Sequence, residues 1–180
     1  MPNKEWKKRN RKERWHKGET LNTVIGQGYV LSTPLQITLM TARIATGKKI
    51  LPKIVKGDIQ FQELNLSQEN LNFIRQSMFD VVNDFDGTAF RSRLSSQYKM
   101  AGKTGTSQVR KISIEERDKG VLKNEEIEYK LRDHSIFTSF APFDNPRIAI
   151  TVVAEHMGSG SKVAAPMAKN ITEYALKKYL

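Results

Sequence analysis

The feature that most restricts how this chain can fold is a pair of strand-like runs separated by five residues. His134–Ala141 and Arg147–Glu155 are rich in Ile, Val, Phe and Thr, with Pro142-Phe143-Asp144-Asn145-Pro146 between them. Two prolines around an Asp-Asn pair break the strand pattern, so the chain turns and the runs pair as an antiparallel hairpin. A hairpin alone buries too little to be stable in water, so further elements must pack on it. Residues 98–109 read as a third strand. Thr33 and Pro34 start a helix, as N-cap and first helical residue. That helix carries Leu35, Ile37, Leu39, Met40, Ala42, Ile44 and Ala45 on most of its sides, the mark of a buried helix, and Gly47 stops it. Ser67 caps a second helix running to about Asn83, with Leu71, Ile74, Met78, Val81, Val82 and Phe85 spaced as one apolar stripe. Asp86-Gly87 ends it, and residues 88–96 add a helical turn or two. Pro166 opens a last helix with Met167, Ile171, Tyr174, Ala175 and Tyr179 on one face. The fold class is α+β: an antiparallel sheet with flanking helices. Three strands leave an edge and a face to be covered, so the chain reads as an incomplete part of a larger domain.

Charge is the second constraint. Residues 1–17 hold eight Lys or Arg against Glu5 and Glu13, which is over half of the chain's net +11 in a tenth of its length. Residues 1–20 are expected to be a basic surface segment. Nucleic acid is an unfavoured partner, because only Trp6 and Trp15 are interleaved and no nucleic-acid-binding fold signature follows. Residues 110–132 carry seven Lys or Arg and six Asp or Glu, the pattern of a charged exposed excursion. Glu115-Glu116 and Glu125-Glu126 alternate there with cations and read as solvated. The chain has no Cys, which excludes disulfides, thiolate zinc sites and a Cys nucleophile. His16, His134 and His156 match no metal spacing, so no metal and no cofactor are expected. Gly26-Gln27-Gly28 lacks the third Gly of a dinucleotide loop, since Leu31 stands there, and reads as a turn.

Chemistry concentrates in Lys103-Thr104-Gly105-Thr106 on the third strand. Alternation puts Lys103 and Gly105 on one face and Thr104 and Thr106 on the other. A cation beside a missing side chain leaves a slot where another molecule can approach the backbone. The threonine hydroxyls are donors suited to a carboxylate.

These residues do not stand alone. Trp15-His16-Lys17-Gly18-Glu19-Thr20, Ile25-Gly26-Gln27-Gly28-Tyr29, Thr33-Pro34-Leu35-Gln36, Ala101–Thr106, Asp133-His134 and Phe140-Ala141-Pro142 occur in that order. Together they resemble the C-terminal part of the transpeptidase domain of a class B penicillin-binding protein, nearest to its cell-elongation branch. The resemblance implies a five-stranded antiparallel sheet and a serine-type D,D-transpeptidase that cross-links peptidoglycan. It implies that Lys103, Thr104, Gly105 and Thr106 bind substrate, with the Thr106 N–H as one oxyanion-hole donor. It implies peptidoglycan stem peptides and beta-lactams as ligands, and an inner-membrane protein working on the periplasmic side. Residues 1–180 would then be the C-terminal portion of that domain.

The family also needs a Ser-x-x-Lys nucleophile and a Ser-x-Asn motif, which are expected upstream of this sequence. No Ser-x-Asn occurs here, and the two Ser-x-x-Lys matches, Ser96–Lys99 and Ser159–Lys162, are badly placed. One leads into the strand of Lys103 and the other lies in a glycine loop, whereas a nucleophile needs a rigid helix start. No catalytic residue is therefore assigned. The chain is expected to be inactive alone and to need a companion carrying the Ser-x-x-Lys half. No signal peptide is visible, and no apolar run approaches the roughly 18 residues of a membrane span. A lone copy could therefore stay in the cytoplasm. The alternatives are a non-catalytic basic binding module and a degenerate gene fragment.

Overall fold

The computed structural model describes residues 2–55, 57, 60–95, 97–110 and 112–180. They form two units, residues 1–33 and 34–180.

The first unit is built on two short helices, α1 (Lys4–Arg11) and α2 (Lys17–Val24). Asn3 caps α1 by accepting from Trp6 N–H at 2.7 Å, and Lys8, Arg9 and Arg11 sit in its last turn, where the helix dipole favours cations. Glu19 ties down the start of α2 by accepting from His16 N–H at 2.7 Å. The same carboxylate accepts from Lys7 Nζ at 2.6 Å, and Lys7 also reaches Glu13 at 3.1 Å and the Arg14 carbonyl at 2.9 Å. Lys7 is only 2% exposed, while the other seven cations of residues 1–17 are exposed. Gly26 and Gly28 close the unit with φ of +77° and +73°, a left-handed turn that side chains resist.

The Lys7 hydrogen bond, then that from His16 N–H, holds the Glu19 carboxyl below its ordinary range, and Glu19 in turn holds the Lys7 ammonium above its own. The glutamate contribution is present above the unfolded carboxyl value and is lost as pH falls through the lowered folded one. The lysine contribution is present below the unfolded ammonium value and is lost only as pH rises through the raised one. Residues 2–33 are therefore expected to stay ordered across neutral pH and to loosen in acid. Trp6 and Trp15 are the chain's two tryptophans and both report on this unit. Tryptophan emission that holds steady through carboxylate protonation would show that the ion pair does not order it.

The second unit is an antiparallel sheet of β1 (Ala101–Ser107), β2 (His134–Ala141) and β3 (Ile148–Ala154), in the order β1-β2-β3. Its flanking helices are α3 (Pro34–Thr46), α4 (Gln68–Asn83), the short α5 (Ile114–Lys119) and α6 (Ala165–Tyr179). The hairpin lies where the sequence puts it, with Phe137 opposite Val152 and Thr138 opposite Thr151. Gly47 ends α3 at φ +71°, and Ser67 Oγ caps α4 by accepting from Asn70 N–H. The third strand is shorter than expected, 101–107 instead of 98–109; of residues 88–96, Ser96 lies outside the described residues and the others hold one 3-10 turn, Phe90–Ser92.

Alternation along β2 gives the sheet two buried faces. Phe137 and Val152 join Val82, Leu94, Met100 and α6 in one core cluster. Phe140 and Ala101 join Ala45 of α3 and Met78 of α4 in the other.

Two apolar stripes differ from expectation. On α4 the buried residues are Leu71, Met78 and Val82, while Ile74 and Phe85 are exposed. On α6 the buried face is Ala165, Ala168, Thr172 and Leu176, and the predicted residues Met167, Ile171, Tyr174 and Tyr179 are exposed. Alanines let α6 lie close to the sheet. Thr172 is tolerated there because its hydroxyl donates to the Ala168 carbonyl at 2.7 Å.

The described residues of 112–132 hold α5 and two 3-10 turns, Asn124–Glu126 and Tyr129–Leu131. Arg110 and Glu116 form a two-pronged ion pair, which holds the Glu116 carboxyl below its ordinary range.

Candidate active-site wall

Lys103, Thr104, Gly105 and Thr106 all lie on β1, an outer strand of the sheet among the described residues. The strand is anchored at its start and open towards its end. Ala101 and Gly102 are buried, whereas Lys103, Thr106 and Ser107 are exposed. A Cβ at Gly102 would strike the Phe137 ring and come within 2.9 Å of the Thr138 carbonyl oxygen, so only glycine lets β1 and β2 close here. Register sets Lys103 opposite Thr138, Thr104 opposite Phe137 and Gly105 opposite Ile136.

The four residues have distinct surroundings. Lys103 Nζ donates to the Thr104 carbonyl at 2.7 Å, and no carboxylate pairs with it among the described residues. Thr104 Oγ1 lies 3.3 Å from Thr88 Oγ1, on the segment that follows α4. The space a side chain would fill at Gly105 is bounded by Ile136, 3.4 Å from an added Cβ. Thr106 is exposed.

Two supports behind this strand have little sequence signal. A chain of hydroxyls crosses the sheet beside Lys103: Thr41 of α3 lies 2.7 Å from Thr138 of β2, which lies 2.8 Å from Thr151 of β3. Thr41 also donates to the Ile37 carbonyl at 3.0 Å, so this buried network has its partners within reach. The second support is a widened helical turn, Gly160–Ala164, leading into α6. Gly160 packs on the carbonyl oxygens of Gly105 and Ile136. Ser135 Oγ pins the turn by donating to the Ser159 carbonyl at 2.9 Å and accepting from Ala164 N–H at 3.1 Å. The only hint was Gly158-Ser159-Gly160, read as a plain loop.

The remaining sequence candidates take structural places. Ser159 Oγ lies 3.0 Å from Ser161 Oγ, and Lys162 meets Ser159 only through the backbone, its N–H donating to the Ser159 carbonyl at 3.2 Å. Ser96 lies outside the described residues. His134 Nδ1 accepts from His156 N–H at 2.9 Å, and His156 Nδ1 lies 3.1 Å from the Arg132 carbonyl, so both rings tie the ends of the hairpin together. Among the described residues no group of three His, Cys, Asp or Glu comes together as a metal site, and no helix is long and apolar enough to cross a membrane.

A lysine, two threonines and a glycine on an outer strand offer a cation and hydroxyl donors of the kind that can hold an anion. Residues 3–173 match the penicillin-binding protein transpeptidase domain family. The chain belongs to that family. Peptidoglycan D,D-transpeptidase MrdA of Haemophilus influenzae is 34% identical over 193 residues, covering 100% of this chain. PBP2 of Helicobacter pylori, solved in complex with MreC, superposes with a TM-score of 0.82 at 33% identity, covering 99% of this chain and 31% of that one. PBP2 of Pseudomonas aeruginosa, solved in complex with WCK 5153, gives a TM-score of 0.73 at 34% identity, covering 97% and 37%. The penicillin-binding transpeptidase family is the one the sequence motifs pointed to, and the three-stranded sheet with its helices matches the fold of these structures. The chain spans 29% of the length of the Haemophilus protein.

Proposed function

We propose that this chain forms one wall of the active-site cleft of a peptidoglycan D,D-transpeptidase. Lys103 supplies positive charge, the hydroxyls of Thr104 and Thr106 hold the terminal carboxylate of a D-Ala-D-Ala stem peptide, and Thr106 N–H is one oxyanion donor. Gly105 lets the substrate backbone lie close to the strand. The serine and lysine of Ser-x-x-Lys come from polypeptide outside this sequence, either upstream of it or on a companion chain. There the serine oxygen bonds to the penultimate carbonyl carbon, and the terminal D-Ala leaves with the transferred proton. The acceptor amine of a neighbouring stem then breaks the ester. A beta-lactam takes the place of the D-Ala-D-Ala end. For the whole protein this reading carries an inner-membrane, periplasmic setting and a partner of the kind seen on the Helicobacter protein. The observation that carries it is the Lys103–Thr106 segment on an outer strand, with Lys103 and Thr106 exposed, in a chain similar to a transpeptidase end to end.

Labelling with a fluorescent penicillin tests the reading. The chain alone is expected to gain no mass. Co-expressed with the Ser-x-x-Lys half of a related transpeptidase, it is expected to restore labelling of that half. A stable adduct on this chain would place a nucleophile within these 180 residues. A folded but unlabelled pair would sink the proposal.

A further inference from the structure

A basic groove lies outside the Lys103–Thr106 segment. It consists of two clefts of about 650 and 460 Å3 that share Lys162 of the Gly160–Ala164 turn as a lining residue. Arg91 and Arg93 line the larger, and Lys123 and Arg132 the smaller, with Glu125 as the one carboxylate among the lining residues. None of the five cations is ion-paired among the described residues. Two are pre-set by aromatic rings: the Arg93 guanidinium lies 4.1 Å from the Phe90 centroid and that of Arg132 lies 5.9 Å from the Tyr129 centroid.

The larger cleft also has an apolar platform. Phe85 packs edge-on against Phe90 at 5.5 Å and is still 80% exposed, a costly place for a phenyl ring. Thr88 lines the same cleft and meets Thr104 of β1, so the groove is continuous with the strand proposed to bind substrate. Cations without a carboxylate partner among the described residues, beside a ring that can stack on a sugar face, suit an extended chain carrying both carboxylates and sugar rings.

We propose that this groove binds a carboxylate-bearing glycopeptide strand, outside the catalytic cleft. The proposal rests on the transpeptidase reading and adds a second contact with the same polymer. Such a contact would hold a strand in place while its stem peptide enters beside Lys103, raising the local concentration of donor or acceptor.

The test is an amide NMR titration of the full 180-residue chain with a disaccharide tripeptide. That probe lacks the D-Ala-D-Ala end and does not report on the Lys103–Thr106 reading. Saturable shifts are expected in residues 85–93 and 160–164. Binding should weaken about ten-fold or more in the triple variant Arg91→Gln, Arg93→Gln, Lys162→Gln. All three side chains are exposed, so the melting temperature should not change. No shift in those segments, or equal affinity in the triple variant, overturns the proposal. Equal binding of inorganic phosphate or of an oligonucleotide overturns it too, by reducing the groove to a general anion contact. A dead groove with penicillin labelling intact in the reconstituted protein would reject this inference and leave the cleft-wall reading standing.

Discussion

Gly160→Ala is expected to destabilise the second unit by about 3 kcal/mol, lowering its melting temperature on the order of 10 °C. The added methyl would run into two backbone carbonyl oxygens, those of Gly105 and Ile136. Neither can rotate away as a side chain would, because Gly105 and Ile136 face each other in the β1–β2 register. The turn cannot lift to make room either, since Ser135 holds the Ser159 carbonyl and the Ala164 N–H from below. The strain would therefore spread into β1, the strand that carries Lys103. Gly105→Ala is the matched control. Its methyl would meet Ile136 at 3.4 Å, an ordinary contact with a side chain, and should cost under about 1 kcal/mol. Thermal denaturation of the two variants separates the cases. Similar melting temperatures would mean that the turn does not brace the strand as its packing implies.

The contrast shows what a sequence can reveal and what it hides. The hairpin was legible because turn residues and β-branched runs act over a few positions. His134–Ala141 appears with the expected boundaries, and Pro34 and Gly47 mark both ends of α3 for the same reason. Lys103–Thr106 drew notice through the ordered motifs around it and not through its own residue types, since Lys, Thr and Gly are common residues. The buried side of α6 was not. Hydrophobicity points to Met167, Ile171 and Tyr174, yet beside Leu176 the helix buries Ala165, Ala168 and Thr172, since close approach to the sheet rewards small residues. Which face of a helix is buried depends on what covers the other face, and that information lies outside its own residues. Thr41, Thr138 and Thr151 are 97 and 13 residues apart in successive steps, so no local pattern could join them. Gly160 looked like loop glycine because its neighbours in space are 55 and 24 residues away in sequence.

On the cleft-wall proposal, Lys103→Met should slow penicillin acylation of the reconstituted protein about ten- to hundred-fold while leaving its fold intact. A hydrogen bond to a charged group contributes about 1.5–3 kcal/mol, and each 1.4 kcal/mol off the barrier is about a factor of ten in rate. The fold should not suffer because Lys103 is exposed and its ammonium bonds to the Thr104 carbonyl, its neighbour in sequence. The same bond shows that the ammonium can lie against the strand, and the approach of an anion would draw it outward. Thr106→Val should act more weakly, removing one hydroxyl while keeping its backbone N–H. Measured together, the two variants separate the roles. If Lys103 holds a carboxylate already bound in the ground state, the loss appears mainly in the affinity for penicillin. If it acts on charge that develops during acylation, the loss appears in the first-order rate at saturation. A Lys103→Met protein that acylates at the unaltered rate and affinity would remove this strand from the cleft. The penicillin-binding site would then have to be sought on residues other than Lys103–Thr106.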